Sequence, residues 1–182
     1  WNNPFWDRYE NGQKDSRQRM FGNIALSYKF NDHFTLTGRG MTDFYTDRRE
    51  EWVAVGGINL PKYTEDVRTV RESNYDAILS YQQNFGEDIS LTALGGLNYR
   101  QNGFNRNFAG TQGGLNTAGL YNLGNSASEI QVTDETQNFE VFSIFQQATV
   151  GYKGMAYLDL TNRTDFNSTL PASKNVYDYY SA

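Results

Sequence analysis

The sequence predicts an all-β protein, a partial transmembrane antiparallel β-barrel of about six strands in three hairpins that is a segment of a larger barrel. Three observations support this prediction: the strands have a bilayer-crossing length, apolar residues alternate along them, and very short turns alternate with long connections. A soluble β-sandwich shows a similar alternation, because one face of its sheets lies in water. Strand length and the contrast between connections therefore favour the membrane barrel.

The composition is polar but compatible with a barrel in a membrane. The 182 residues have a net charge of -5, a mean hydropathy of -0.71, 15% aromatic residues and no cysteine. No apolar run approaches the roughly 20 residues that a membrane-spanning helix needs. In a barrel only alternate residues face lipid, and polar loops lower the average. The acidic balance argues against nucleic acid as a partner.

The first predicted hairpin runs from Met20 to Tyr45 around the turn Asn31-Asp32-His33. Read with a period of two, its large apolar residues fall on one face and its charges on the other. The apolar face contains Ile24, Leu26, Tyr28, Phe30, Phe34, Leu36 and Phe44. This pattern predicts one face toward lipid and one toward the lumen of the barrel.

Two further hairpins repeat the design. Their limits and turns are Tyr75 to Arg100 around Gly86-Glu87-Asp88, and Phe139 to Phe166 around Lys153-Gly154-Met155. A charge that faces lipid at mid-bilayer costs roughly 2 to 4 kcal/mol for Arg or Lys, so charges should face the lumen. The lumen-facing charges that the pattern predicts are Arg39, Asp43, Asp159, Arg163 and Asp165.

The connections between the hairpins are long, whereas the turns within them have about three residues. Thr46 to Asn74 and Gln101 to Asn138 are predicted as extracellular loops, and the short turns as periplasmic. The last residues, from Tyr179 onward, resemble the start of another strand. Because bacterial single-chain barrels have at least eight strands, residues 1–182 are expected to be one segment of a barrel domain.

The register of each hairpin follows from parity. Outward residues keep the same parity across each turn, so each turn should contain an odd number of residues. With Lys153-Gly154-Met155 as the third turn, Tyr152 pairs with Ala156 and Gln146 with Asn162. These two amides lie on the predicted lipid face, where a hydrogen bond between them would satisfy both. The alternatives are a neighbouring protein at this site or a local inward turn.

The residues offer little for catalysis. His33 is the single histidine and lies in a predicted periplasmic turn, which argues against a Ser–His–Asp triad and against a zinc site. Asp43, Asp159 and Asp165 could form paired acids, but lumen charges paired with Arg39 and Arg163 are the favoured interpretation. We therefore predict no enzyme, no metal and no cofactor.

Aromatic residues in the predicted loops are candidates for contact with a ligand or partner, or for packing of the loops against one another. They are Trp52, Tyr63, Phe104, Phe108 and Tyr121. The run Arg48-Arg49-Glu50-Glu51 before Trp52 is interpreted as a solvated loop base with local ion pairs, each of which contributes little. The alternative is a polar and aromatic binding surface.

The segment from Tyr157 to Pro171, YLDLTNRTDFNSTLP, resembles a strand and loop motif of the SusC/RagA family of TonB-dependent outer-membrane transporters. Departures from the family motif occur at Asn162, Phe166 and Asn167. Further matches, in the family's order, are Asn3-Pro4-Phe5-Trp6, Gly38-Arg39 with Thr42-Asp43-Phe44-Tyr45-Thr46-Asp47-Arg48-Arg49, and Gly119-Leu120-Tyr121-Asn122-Leu123.

The resemblance implies a large barrel in the bacterial outer membrane, with a plug domain and TonB box upstream. It also implies a SusD-like surface lipoprotein as a lid, energy from TonB–ExbB–ExbD, and import of glycans or oligopeptides. Two other functions remain open from the residues alone: a passive porin or structural barrel, and a soluble all-β binding module.

Overall fold

The computed structural model describes residues 2–171 and 173–182 and confirms the all-β fold class. Seven strands form one antiparallel open sheet in chain order. Their bounds are β1 Gly12–Lys29, β2 Phe34–Val53, β3 Lys62–Phe85, β4 Ile89–Gly110, β5 Gln131–Tyr152, β6 Ala156–Asn167 and β7 Val176–Ser181. A short helix, α1 (Pro4–Glu10), precedes β1, and a 3-10 turn lies at Leu123–Asn125. None of the helices in the described residues is long and apolar enough to span a membrane.

The three predicted turns are confirmed. In the first, the Asn31 side chain accepts hydrogen bonds from the backbone N–H groups of His33 and Phe34, both at 2.9 Å. In the third, Lys153 (φ 51°) and Gly154 (φ 68°) are both left-handed, and Met155 N donates to Tyr152 O at 3.0 Å. This geometry matches the right-handed twist of the flanking strands, and the glycine adopts it without a steric penalty.

The predicted register of the third hairpin is also confirmed. Tyr152 lies opposite Ala156, and Gln146 lies opposite Asn162. The predicted hydrogen bond between the two amides is wrong, because Asn162 Nδ2 donates instead to the carbonyl of Tyr179 on β7, at 3.4 Å. The strand predicted near Tyr179 is β7, whose Tyr180 pairs with Asn162.

The predicted long loops are wrong in part, because the strands continue into both of them. Strands β2 to β5 contain 20 to 24 residues rather than roughly 10 to 14, so Thr46–Asn74 is largely extended strand, and Gln101–Asn138 is strand at both ends. The connections that remain are residues 54–61 and 111–130. The physical reason is that a strand outside the bilayer needs no apolar face, so the backbone ladder continues where the alternation stops.

The strands are shared between two compact units. The first comprises the chain up to Met20, Phe44–Val70 and Gly103–Gln137, and the second comprises Phe21–Asp43, Arg71–Asn102 and Asn138–Ala182. In the second unit, Val141 and Ser143 are buried on one side of the sheet. On the other side of the second unit many large apolar side chains are exposed, with Gln146 and Asn162 among them.

Helix α1 lies against the 54–61 connection in the first unit. Asn3 caps its N-terminus by accepting from Phe5 N at 3.0 Å, and Pro4 occupies the first helical position. Asn2 Oδ1 accepts from Ile58 N at 2.7 Å, and Asn11 Oδ1 accepts from Ala54 N at 2.8 Å. These side chains satisfy backbone donors that no strand partner reaches.

Candidate functional site: the two faces of the sheet

One face of the second unit is apolar and uncovered. Leu26 is 76% exposed, and the other residues predicted to face lipid on β1 to β6 are also exposed or half-buried. Exposed members include Ile24, Tyr28, Leu36, Leu79, Leu97, Ile144, Val150, Leu158 and Leu160. Monomeric soluble proteins rarely expose contiguous apolar patches larger than a few hundred Å². The surface therefore has the chemistry of a lipid contact.

A row of aromatic rings forms one border of this apolar face. Tyr75 and Tyr99 stack with ring centroids 6.5 Å apart, and Phe142 and Phe166 lie 6.0 Å apart. Two residues further from the turns the same face is polar, and Gln101 Nε2 donates to Glu140 Oε1 at 3.1 Å. Aromatic girdles of this kind mark the interface between bilayer and water in outer-membrane barrels.

The distance from this aromatic row to the turns is constant. On each of β3 to β6, the aromatic residue lies ten positions along the chain from the strand end at the turn. These strand ends are Phe85, Ile89, Tyr152 and Ala156. At about 3.3 Å per residue and a tilt of about 45°, this gives an apolar band of roughly 23 Å. The value agrees with the roughly 25 Å band of outer-membrane barrels.

The opposite face of the second unit is polar. Arg39 forms an ion pair with Asp76 at 2.7 Å, and Asn98 Nδ2 donates to the other oxygen of Asp76, also at 2.7 Å. Arg163 Nε donates to Asp165 at 2.6 Å and Arg163 Nη2 to the buried Ser143 hydroxyl at 2.8 Å. Asp159 accepts from Thr149. The expected pairing thus holds for Arg163 and Asp165, whereas Arg39 pairs with Asp76, and Asp43 lies on β2 with the parity of Arg39.

Small residues make room for large rings on this polar face. Tyr157 lies so close to Gly151 that a Cβ atom built there would be 2.9 Å from Cε1 of the ring. Phe145 covers Gly96 in the same way. A side chain at either glycine would therefore collide with the ring.

The first unit contains two clusters in which one aspartate serves two arginines. Asp47 accepts from Arg17 at 3.2 Å and from Arg49 at 2.9 Å. The hydrogen bond from Arg17, joined by that from Arg49, holds the pKa of Asp47 below its ordinary value of 3.8.

Asp66 is the aspartate of the second cluster and accepts from Arg68 at 2.6 Å and from Arg106 at 2.9 Å. Burial acts to raise the pKa of Asp66, but the hydrogen bonds from Arg106 and Arg68 outweigh it and lower the pKa. Asp66 in turn raises the pKa of Arg106. Both carboxylates are therefore ionised at neutral pH.

A third cluster surrounds Arg48, which pairs with Glu50 at 2.9 Å and Glu65 at 3.0 Å. The Tyr63 hydroxyl donates to Glu65 at 2.9 Å. Burial of the ring, together with this acceptor, raises the pKa of Tyr63 to about 12. The run from Arg48 to Glu51 is therefore an ion-paired part of strand β2, not the base of a loop.

Four of the five aromatic candidates lie on strands, which corrects their assignment to loops. Trp52 is on β2, Tyr63 on β3, and Phe104 and Phe108 on β4; Tyr121 alone is in a connection. Trp52 stacks on Tyr121 with ring centroids 5.7 Å apart, and its Nε1 donates to Glu10 O at 3.1 Å. Phe108 lies under Arg106, with the guanidinium 5.7 Å from the ring centroid. Of the five candidates, the structure thus brings Trp52 and Tyr121 together.

Sequence reasoning missed Asp47 and Asp66 as shared acceptors. The available signal was the spacing of Asp47 and Arg49, and of Asp66 and Arg68, since residues two apart share a face of a strand. Among residues 2–171 and 173–182, no group of three or more His, Cys, Asp or Glu side chains is placed to hold a metal ion.

The sheet with one lipid-compatible face and one charged face is a segment of the wall of a transmembrane β-barrel. No protein-family model matches the chain. The chain is 26% identical over 188 residues to TonB-dependent receptor P26 of Formosa agariphila, a match that covers 99% of this chain and 19% of that receptor. The chain is a homologue of that TonB-dependent receptor, and it belongs in the bacterial outer membrane.

Solved structures agree on the fold. The chain matches the RagAB peptide transporter with a TM-score of 0.84 and 16% identity, over 97% of this chain and 20% of the other. It matches the RagAB peptide importer in its 'closed-closed' and 'open-open' states with a TM-score of 0.88 in each. The chain thus spans about a fifth of the length of the proteins it matches. These relatives are named as a receptor, a transporter and an importer, and none is named as an enzyme, in agreement with the sequence prediction.

Proposed function

We propose that this chain is part of the barrel of a TonB-dependent importer that takes large nutrients, glycans or oligopeptides, across the bacterial outer membrane. The observation that carries the proposal is the match of 97% of the chain to the RagAB transporter fold at a TM-score of up to 0.88. The band of roughly 23 Å and the charged opposite face support it, because an importer wall needs lipid outside and polar side chains toward the substrate path.

Two partners complete this proposal. A SusD-like surface lipoprotein closes the barrel from outside, and the TonB–ExbB–ExbD complex supplies energy through a plug and TonB box elsewhere in the full-length protein. The RagAB structures carry the name of a two-component assembly, which supports the first partner. Residues 1–182 act only as barrel wall in this proposal. The charged residues Arg39, Asp43, Asp159, Arg163 and Asp165 line the lumen.

Exposed apolar side chains in the first unit support a lid contact. Phe5 and Tyr9 of α1 are exposed, as are Ile58 and Leu60 of the 54–61 connection. These side chains lie beside backbone that Asn2 and Asn11 hold in place. We propose that the lipoprotein covers the connections 54–61 or 111–130, because an exposed apolar patch on an ordered segment favours a protein contact.

The experiment that tests import compares uptake of the cognate nutrient by cells with and without TonB. We expect uptake to stop without TonB, while heat-modifiable mobility shows the full-length barrel still folded in the outer membrane. Deletion of the TonB box should give the same result. Unchanged growth on the nutrient without TonB would refute the proposal and favour a passive porin.

The lid is tested separately by co-purification from detergent-solubilised membranes. Replacement of Ile58 and Leu60 by Asp should release the lipoprotein, whereas the same changes at the exposed Val132 and Thr136 should not. Recovery of the full-length protein in the soluble fraction without detergent would instead support a soluble binding module.

A further inference from the structure

A strip of polar side chains interrupts the apolar face of the second unit on strands β5 to β7. Gln146 on β5 lies opposite Asn162 on β6, which in turn lies opposite Tyr180 on β7. One step closer to the aromatic row, Thr164 lies opposite Asp178 and donates a hydrogen bond to it at 2.5 Å. Because residues two apart share a face of a strand, all five side chains lie on the face that carries the leucines of β6. We name these five residues the polar strip.

The side-chain amide of Gln146 has no hydrogen-bond partner among the described residues. The residue is exposed, and no donor or acceptor within residues 2–171 and 173–182 bonds to its amide. Asn162 makes one side-chain bond, the donation to Tyr179 O at 3.4 Å, which leaves its own oxygen unpaired in that part of the chain. Hydrocarbon offers such groups no partner, so they are costly on a lipid-facing surface unless another molecule bonds to them.

An open depression with a floor of small residues lies beside the polar strip. The backbone bond from Lys153 N to Asp88 O sets the register of β4 and β5, and counting back from it places Gly95 opposite Gln146. A Cβ atom built on Gly95 would meet nothing within 4 Å. The depression has a volume of about 610 Å³, and its lining includes Gln146, Asn162, Ala93, Ala148 and Leu160.

The polar strip lies in the half of the apolar band that is nearer the aromatic row. Thr164 is two positions from Phe166 of that row, and Gln146 is four positions from Phe142. At about 3.3 Å per residue and a tilt of about 45°, the two levels lie roughly 5 and 9 Å below the row. The row is at the opposite end of the sheet from the short turns, which are periplasmic in such barrels, so the strip faces the outer leaflet.

We propose that the polar strip binds a lipid of the outer leaflet whose acyl chains carry hydroxyl groups. A hydroxyl group donates and accepts, so it can bond to the Gln146 amide or to the unpaired oxygen of Asn162. A plain acyl chain has no polar group at this depth and leaves both unsatisfied. The rest of the chain lies in the depression over Gly95. This inference needs only a barrel in the outer membrane and does not depend on the import function.

The size of the polar strip favours a lipid over a second protein. With strands about 4.8 Å apart, the strip is about 10 Å wide across β5 to β7, and its two levels are about 7 Å apart along the strands. A stable protein interface buries about 800 Å² on each partner, far more than this area. The side chains around the strip are exposed and apolar, as at Leu97, Ile144 and Leu158, which suits contact with hydrocarbon chains.

Native mass spectrometry of the full-length protein, released from detergent, tests the proposal. The probes are two lipids with the same headgroup and chain length, one with 3-hydroxyacyl chains and one with plain acyl chains. We expect the hydroxylated lipid to bind about tenfold more tightly, the effect of about one hydrogen bond. The variant Gln146→Leu/Asn162→Leu should bind the two lipids equally. Gly95→Val should weaken the binding of both, because its side chain fills the depression.

The matched control is Gln147→Leu/Thr161→Leu, a directly opposed pair on the other face of the same two strands. This control should keep the preference of the parent protein for the hydroxylated lipid. Thermal unfolding in detergent checks the fold. Gln146→Leu/Asn162→Leu should be at least as stable as the parent, because the substitution removes unpaired amides.

Three results would overturn the inference. The first is equal binding of the two lipids by the parent protein, and the second is an unchanged preference in Gln146→Leu/Asn162→Leu. The third is a dimer that this variant converts to a monomer, because a second copy of the chain would then cover the polar strip.

Discussion

The ring of Phe145 on β5 covers Gly96 on β4. A Cβ atom built on Gly96 would lie 2.8 Å from Cε2 of Phe145 and 3.0 Å from the carbonyl oxygen of Ala77. The ring could move aside, but the backbone oxygen could not do so without a shift of β3. A side chain larger than hydrogen at position 96 would therefore meet both a ring and a backbone oxygen.

We expect Gly96→Ala to destabilise the full-length barrel by about 1–3 kcal/mol, the usual cost of overpacking. In a Phe145→Ala background the same change should cost less, because the ring no longer occupies the space. Urea unfolding from lipid vesicles measures both values as a double-mutant cycle. If Gly96→Ala destabilised the protein equally with Phe145 and with Ala at position 145, the contact between the ring and Gly96 would be contradicted. Gly95→Ala is the control, since nothing lies within 4 Å of its added Cβ.

The assignment of faces can be tested on β6, where Leu160 and Thr161 are neighbours on opposite faces. Leu160→Arg should destabilise the barrel by about 2–4 kcal/mol if it faces mid-bilayer lipid, or by less nearer the interface. Thr161→Arg should cost under about 1 kcal/mol, because the other face is polar. The free energies of unfolding of the two variants, measured from lipid vesicles, test this assignment. Equal destabilisation by the two substitutions would show that the assignment of faces is wrong.

The register of the third hairpin predicts a specific cross-link. Directly opposed residues in an antiparallel pair have Cα atoms about 4.5–5.5 Å apart, within the range for a disulfide. Gln146→Cys with Asn162→Cys should therefore cross-link on mild oxidation. Gln146→Cys with Leu158→Cys should not, because Leu158 lies opposite Val150. Mobility on non-reducing gels after cleavage between the two strands reports the bond, and cross-linking of the second pair would contradict the register.

The Asp66 cluster should make stability depend on pH in acid. Its folded-state pKa is lowered, so the ion pairs contribute fully above the ordinary value of 3.8 and are lost as pH falls through the folded-state pKa. Asp66→Asn should cost about 1–3 kcal/mol at pH 7, since it leaves two arginines opposed. That gap should stay constant from pH 7 to 5 and narrow below pH 4.

Denaturant titrations at each pH provide this measurement. Asp134→Asn serves as the control, because no ion pair is seen for Asp134 among the described residues, and it should leave the free energy of unfolding at pH 7 unchanged. A gap for Asp66→Asn that widened in acid would contradict the direction of the pKa change.

The part of the fold that contacts lipid could be predicted from the sequence, and the part beyond it could not. A strand that faces lipid needs an apolar side chain at every second residue. This alternation, followed along both strands of each hairpin, predicted the turns at Asp32, Glu87 and Gly154 and the pairing of Gln146 with Asn162. Beyond the aromatic row no such demand exists. The run from Arg48 to Glu51 is part of strand β2, but apolar residues do not alternate along it. The pattern of apolar residues therefore could not predict that β2 continues through this run.

The charged groups were only partly predictable for a related reason. Parity indicates which face Arg39 occupies, but the choice of Asp76 over Asp43 as its partner depends on the register between β2 and β3. No short turn joins those strands, so the sequence did not fix that register. The helix α1 was missed although Asn3 and Pro4 form a recognisable helix start.

The constant ten-residue interval between the aromatic row and the turns has a consequence for hydrophobic mismatch. A wall with a band of roughly 23 Å is too short for an average bilayer core of about 30 Å, and it matches the thinner bacterial outer membrane. Because strands joined in one sheet cannot tilt independently, thick bilayers must deform to meet the protein. Lipids with short acyl chains are therefore the natural choice for reconstitution, and the same mismatch would tend to keep this barrel out of thicker membranes.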